Sequence, residues 1–206
     1  MKEKRLVCGV GVNDADYMVQ EWKYWCENGK QKQKLVWSCP YYSRWSNMIT
    51  RCYSEKYQER QPTYKGCYVY IPWLTFSNFK LWMEKQDWED MAMDKDLLIE
   101  DNKEYHPDKC VFVHRKVNQF LTTRQKSRGE YKIGVSLDKR WKSKPYRAEA
   151  GNPFTGKQEY LGHFPTEQEA YDAWKKRKYE LAIELANSEY VTDERVKKAL
   201  IERFEY

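Results

Sequence analysis

The residues best equipped for chemistry lie between Asp94 and Arg147. Acids, amides and imidazoles gather at the front of this stretch: Asp94, Asp96, Asn102, His106, Asp108, His114 and Asn118, with Lys95 between two aspartates. Such side chains can hold a divalent cation and activate a water, the two needs of metal-dependent hydrolysis. Behind them, eleven Lys and Arg residues fall between Arg115 and Arg147, opposed only by Glu130 and Asp138, an excess of +9. Trp141 and Tyr146 stand inside this stripe. Dense positive charge with aromatic rings suits a phosphate backbone with bases nearby. A solvated surface is the ordinary explanation of a shorter charge run; here the density and the scarcity of acids favour a polyanionic partner.

These residues need elements to position them. Tyr41, Trp45, Met48, Ile49 and Cys52 recur at helical spacing, which predicts a helix over residues 41–53. Leu74, Phe76, Phe79, Trp82 and Met83 predict a second over about 73–85. Both aromatic stripes read as core. Before them, Leu6–Val12, Tyr17–Trp25 and Leu35–Trp37 read as strand-like pieces, with Asn28-Gly29 as a hairpin turn. Residues 54–66 are polar and read as a loop, followed by Cys67–Ile71 as a short strand. Further on, Met93–Ile99 and Cys110–Val113 read as strands around a polar loop, and Lys116–Leu121 as the start of a helix. Strands are expected at Tyr131–Ser136, Tyr146–Ala150 and Glu159–Phe164. Thr166, with Glu169 three residues on, fits a capping box that opens a helix to about Ala186. Thr192–Phe204 suits one more amphipathic helix.

The chain has 206 residues, 41% apolar and 33% charged, enough for one large domain or two small ones with a packed core. Nine Trp and seventeen Tyr fill cores economically, and most belong there. No apolar run approaches the ~20 residues of a membrane span. Charged Met1–Arg5 is followed by an apolar run too short for a signal peptide, so the expectation is a protein of the cytoplasm. The six cysteines are scattered, with no pair two to four residues apart. That spacing argues against a zinc ribbon or finger, and without an export signal the thiols are expected to be reduced and mostly buried.

The C-terminal segment resembles the ethylene-response-factor (APETALA-type) DNA-binding domain. The resemblance covers about Tyr131 to Ala186. It rests on Tyr131-Lys-Ile-Gly-Val135, Arg140-Trp141, Tyr146-Arg-Ala-Glu149, Tyr160-Leu-Gly-His-Phe164 and Thr166-Glu-Gln-Glu-Ala-Tyr-Asp-Ala-Trp174. It implies three strands crossed by one helix, with the sheet in the major groove. Arg140, Trp141, Lys142, Tyr146 and Arg147 would then lie on the DNA face, supported by Lys139 and Lys144. Arg can bridge two acceptors on guanine, and Lys serves phosphates. Arg124, Lys126 and Arg128 would track the backbone from a basic linker.

The segments Met93-Asp-Lys-Asp-Leu-Leu98, Asn102–Val113 and His114-Arg-Lys-Val-Asn118 resemble the strand–loop–strand–helix unit of HNH nucleases. With Arg51-Cys-Tyr53, Tyr64-Lys-Gly66 and Trp73–Phe79, residues 40–186 are similar to a free-standing homing endonuclease of phages or mobile elements. The resemblance implies Mg²⁺ or Mn²⁺ held by Asp94 and Asn118, with Asp108 where the loop Asn is expected. Lys95 falls where the water-activating His belongs. A solvated Lys titrates near ~10.4 and is a poor base at neutral pH. His114 or His106 would then supply the imidazole, or Lys95 would stabilise the phosphorane, with Asp96 beside it.

The expected fold is α+β: an N-terminal HNH-like (ββα-metal-type) domain plus a small three-stranded antiparallel sheet packed on one helix. The HNH-like part would span 1–121, its ββα unit about 91–121. A basic linker at 122–130, the DNA-binding module at 131–188 and a helical tail at 189–206 complete the organisation. The expected function is metal-dependent nicking of duplex DNA, with a homodimer needed for a double-strand cut. The alternative is a sequence-specific DNA-binding protein without catalysis, such as a regulator or a nuclease-blocking factor. An RNA-binding protein that stacks bases on its aromatics fits the composition and fits the C-terminal module less well.

Overall fold

A computed structural model describes residues 6–122 and 130–205. Arg124, Lys126, Arg128 and most of the expected linker lie outside the described residues. The protein is mixed α and β, and the chain divides into two units. The first joins Met1–Trp88 to Ile99–Cys110, the second Glu89–Leu98 to Val111–Tyr206.

In the first unit, β1 (Gln20–Glu27) and β2 (Lys30–Ser38) form an antiparallel hairpin. Asn28 and Gly29 turn it with φ of 52° and 71°. Both signs are positive, as a type I′ turn requires. Helix α1 (Pro40–Tyr53) buries Tyr42, Trp45, Met48, Ile49 and Cys52. The fully buried Trp45 donates its indole N–H to the Trp73 carbonyl at 2.7 Å. Residues 54–66 are not a plain loop. Ser54 accepts the Tyr57 N–H and caps helix α2 (Glu55–Arg60), and a 3₁₀ turn follows at Pro62–Tyr64. No residue of α2 is buried, so apolar periodicity could not reveal it. The expected helix at 73–85 is shorter: a 3₁₀ turn at Ile71–Leu74 leads into α3 (Phe76–Met83). The expected first strand is instead a tight turn at Cys8-Gly9, φ 49° and 77°, bridged by Val7 and Gly11. Strand β3 (Tyr68–Val69) pairs in parallel with β5 (Glu104–Tyr105).

In the second unit, β4 (Met91–Asp94) pairs antiparallel with β6 (Val111–His114), and α4 (Arg115–Leu121) follows directly. The expected strand through Ile99 stops at Asp94, because Asp94 Oδ1 accepts the N–H groups of Asp96 and Leu97, both at 2.8 Å, and turns the chain. The three-stranded antiparallel sheet is β7 (Val135–Leu137), β8 (Tyr146–Gly151) and β9 (Gln158–Phe164), with β8 central. Helix α5 (Glu167–Ala186) packs on it. Thr166 Oγ1 accepts the Glu169 N–H at 3.2 Å, one half of the expected capping box. The final helix α6 (Glu194–Glu202) buries Val196 and Leu200 in a core shared with Val111, Val117, Leu181 and Leu185. Among the described residues no helix is long and apolar enough to cross a membrane.

Candidate nucleic-acid interface

Alternation along a strand sends successive side chains to opposite faces, and cross-strand partners share a face. On β8, Tyr146, Ala148 and Ala150 take one face, and both alanines are fully buried on the α5 side. Arg147 and Glu149 take the other. Across from Arg147 stand Ser136 on β7 and His163 on β9; across from Glu149 stands Tyr160. Tyr146 was expected on the DNA face. It shares the helix side instead, with its ring edge-on to Tyr131 at 5.9 Å.

The face away from α5 carries a continuous polar and aromatic row. The Trp141 ring lies on His163, centroids 4.7 Å apart. His163 Nδ1 is hydrogen-bonded to the Tyr160 hydroxyl at 2.5 Å. The Arg147 guanidinium lies 5.5 Å from the Tyr160 ring centroid and is paired with Glu149. Such contacts fix planar groups in one orientation before any partner arrives. Arg147 Nε and His163 Nε2 are buried and have no hydrogen-bond partner among the described residues. His163 Nε2 does stand 3.5 Å from Asp138 Oδ2, within ion-pair reach once protonated.

The β7–β8 loop supplies the charge. Asp138 donates its N–H to the Pro145 carbonyl at 2.7 Å and closes the loop. Its carboxylate takes the Arg140 guanidinium in a fork, with distances of 2.8 and 2.7 Å. The Arg140 bonds hold the Asp138 carboxyl well below the usual carboxylate range. Lys139, Arg140, Trp141, Lys142 and Lys144 are all exposed, Trp141 by 53%.

Sequence reasoning missed His163, Tyr160 and Asp138 as members of this face. Strict alternation puts Tyr160 and His163 on opposite sides. The register shifts between Ala148 and Glu149, so that Leu161 is an extra residue on β9, beside Gly162 at φ 129°. This bulge turns Tyr160 and His163 to the same face. A glycine inside a strand pattern was the available signal.

The residues expected of a nuclease lie on β4, β6, α4 and the loops beside them. Asp94 pairs with Val111 at one end of the β4–β6 ladder, and His114 pairs with Met91 at the other. Three residues of strand, about 10 Å, separate those ends. His114 Nδ1 accepts the Lys116 N–H at 3.2 Å as the cap of α4, and its ring stacks on Tyr190 at 4.7 Å. Lys95 is buried at 7% exposure and ion-paired with Asp96. Asn118 sits one turn into α4, half-buried, where its carbonyl accepts from Thr122. His106 belongs to the first unit, where it meets the Tyr70 ring at 4.5 Å and accepts the Asp108 N–H at 3.2 Å. Among the described residues no group of three or more His, Cys, Asp or Glu is placed to hold a metal. Asp94 and Asn118, the residues that the resemblance assigns to Mg²⁺ or Mn²⁺, both lie in the β4–β6–α4 segment, and no step through a metal follows from them.

No family model, curated protein or solved structure matches this chain.

Proposed function

We propose that this chain binds duplex DNA through the open face of the β7–β8–β9 sheet. One observation carries the reading: Arg147, His163, Tyr160 and Trp141 form a pre-oriented row on the uncovered sheet face, beside a loop of exposed Lys139, Lys142 and Lys144. The lysines would neutralise phosphates, Arg147 would offer donors to base edges, and His163 would hold Trp141 and Tyr160 in place beneath them. Trp141 would supply apolar contact. The role is recognition, with Asp138 and Glu149 holding the arginines in position until DNA competes for them.

The test is fluorescence anisotropy of a labelled duplex, titrated at several salt concentrations with the wild type, Arg147→Ala and Trp141→Ala. Salt-dependent binding, weakened at least about tenfold by Arg147→Ala, is the expected result. Binding indifferent to both substitutions would overturn it.

A second reading, hydrolysis of the bound DNA, is supported by one arrangement: β4, β6 and α4 follow one another as two antiparallel strands and a helix, with Asp94 and Asn118 upon them. Metal-dependent nicking lost in Asp94→Ala would establish it.

A further inference from the structure

The β1–β2 hairpin has no part in the sheet described above, and its composition is strongly sided. Cross-strand pairs are Glu21–Trp37, Lys23–Lys34, Trp25–Lys32 and Glu27–Lys30, all on one face. Every charged side chain of the ribbon therefore shares that face. The opposite face holds Trp22, Tyr24, Cys26 and Leu35 with neutral glutamines. All residues from Glu21 to Trp37 are exposed, including Trp25 at 39% and Trp37 at 45%.

Two features conflict with simple stability. A two-stranded ribbon is marginal in water by itself. Like charges directly opposite destabilise a hairpin, yet Lys23 faces Lys34 at its centre, with Lys32 next to them. Local rules broken without a compensating contact mark functional positions. A polyanion supplies the compensation: phosphates between Lys23 and Lys34 would turn repulsion into attraction. The dimensions also agree. A ribbon whose strands have eight and nine residues is roughly 27–30 Å long, and a DNA major groove about 12 Å wide admits a two-stranded ribbon.

We infer that the β1–β2 ribbon is a second duplex-DNA contact, its Lys23–Lys34 pair gripping backbone phosphates with Trp25 and Trp37 on either side. The inference rests on the DNA-binding reading of the chain and adds an independent surface to it. Lys32, paired with Glu27 in the free protein, would join when DNA displaces that carboxylate.

The test uses the full chain and a labelled duplex of random sequence, with Lys23→Gln/Lys34→Gln and Arg147→Ala compared with the wild type. Each phosphate contact contributes about 0.9 to the slope of log affinity against log salt. The double variant is expected to flatten that slope by about 2 and weaken binding roughly tenfold at moderate salt. Its melting temperature without DNA should hold or rise, since a repulsion has been removed; a fall would assign the pair a structural role and overturn the proposal. An unchanged slope alongside a loss in Arg147→Ala would remove the ribbon and leave the sheet reading standing. A flattened slope with Arg147→Ala unaffected would sustain the ribbon and remove the sheet. Loss confined to single-stranded RNA, with duplex binding intact, would overturn the proposal in favour of an RNA contact.

Discussion

The indole of Trp141 lies nearly parallel to the imidazole of His163, with planes 18° apart and centroids 4.7 Å apart. The stack joins a loop residue to the edge strand β9, so the basic loop and the strand face act together. His163→Ala should therefore loosen both Trp141 and Tyr160. Its loss of DNA affinity is expected to match that of Trp141→Ala, and the double variant to cost less than the sum. A double-mutant cycle measured by anisotropy checks this; additive losses would mean that the two side chains act separately.

Asp138→Asn should shift binding from selective to general. The Asp138 carboxylate, kept ionised by Arg140, holds that guanidinium in place and faces His163. Removing its charge adds one positive unit to the surface and frees Arg140. Affinity for random duplex is expected to rise, and the ratio between preferred and random sites to fall. A depressed carboxyl pKa also contributes stability that is present above the unfolded value, ~3.9, and lost as pH falls through the folded one. Acid unfolding of Asp138→Asn should accordingly be less steep below pH ~4 than in the wild type, as followed by circular dichroism.

Lys178 predicts an effect at the alkaline end. Its ammonium donates to the Phe120 carbonyl at 2.9 Å and lies 3.2 Å from the Phe120 ring centroid. Burial pushes its pKa down to about 8. The unfolded chain then binds more protons than the folded one between about 8 and ~10.4, so this lysine makes stability rise with pH across that window. The gain is at most about 3 kcal/mol. Lys178→Met should abolish that part of the slope in urea titrations at pH 7 to 10. Parallel pH profiles for the two proteins would contradict the assignment.

Two glycines with similar backbones should respond differently to alanine. Gly134 has φ 78°, and a Cβ there would lie 2.0 Å from Trp174 Cδ1. Gly156 has φ 70° with nothing within 4 Å. Gly156→Ala is expected to cost only the left-handed backbone penalty, ~1–2 kcal/mol. Gly134→Ala must also displace a ring that packs on the sheet, and should cost more than ~3 kcal/mol. Chemical denaturation separates the two; equal costs would mean that Trp174 moves freely.

Apolar spacing made α1 legible down to its buried Trp45, Met48 and Ile49, and Asn28-Gly29 made the hairpin legible. Thr166 marked the start of α5 because capping is a local interaction. The site was less readable for three physical reasons. Alternation fails where Leu161 bulges, which hid the His163–Tyr160 pair. Position alone placed Tyr146 beside Arg147, although adjacent strand residues point to opposite faces. Asp94 also ends its strand, because an aspartate there can bond two following N–H groups, which no spacing reveals.

The β1–β2 ribbon has two strands and therefore two edges, each a row of N–H and C=O groups directed outward. Such rows are templates for adding further strands from other molecules. The lysines of the ribbon keep a second ribbon at a distance only while their charge is felt, and at 1 M salt that reach shrinks to ~3 Å. The same high salt that would weaken the proposed DNA contact thus removes the ribbon's guard against edge-to-edge association. Concentrated preparations should stay clear at low ionic strength or with duplex bound, and turn cloudy in strong salt.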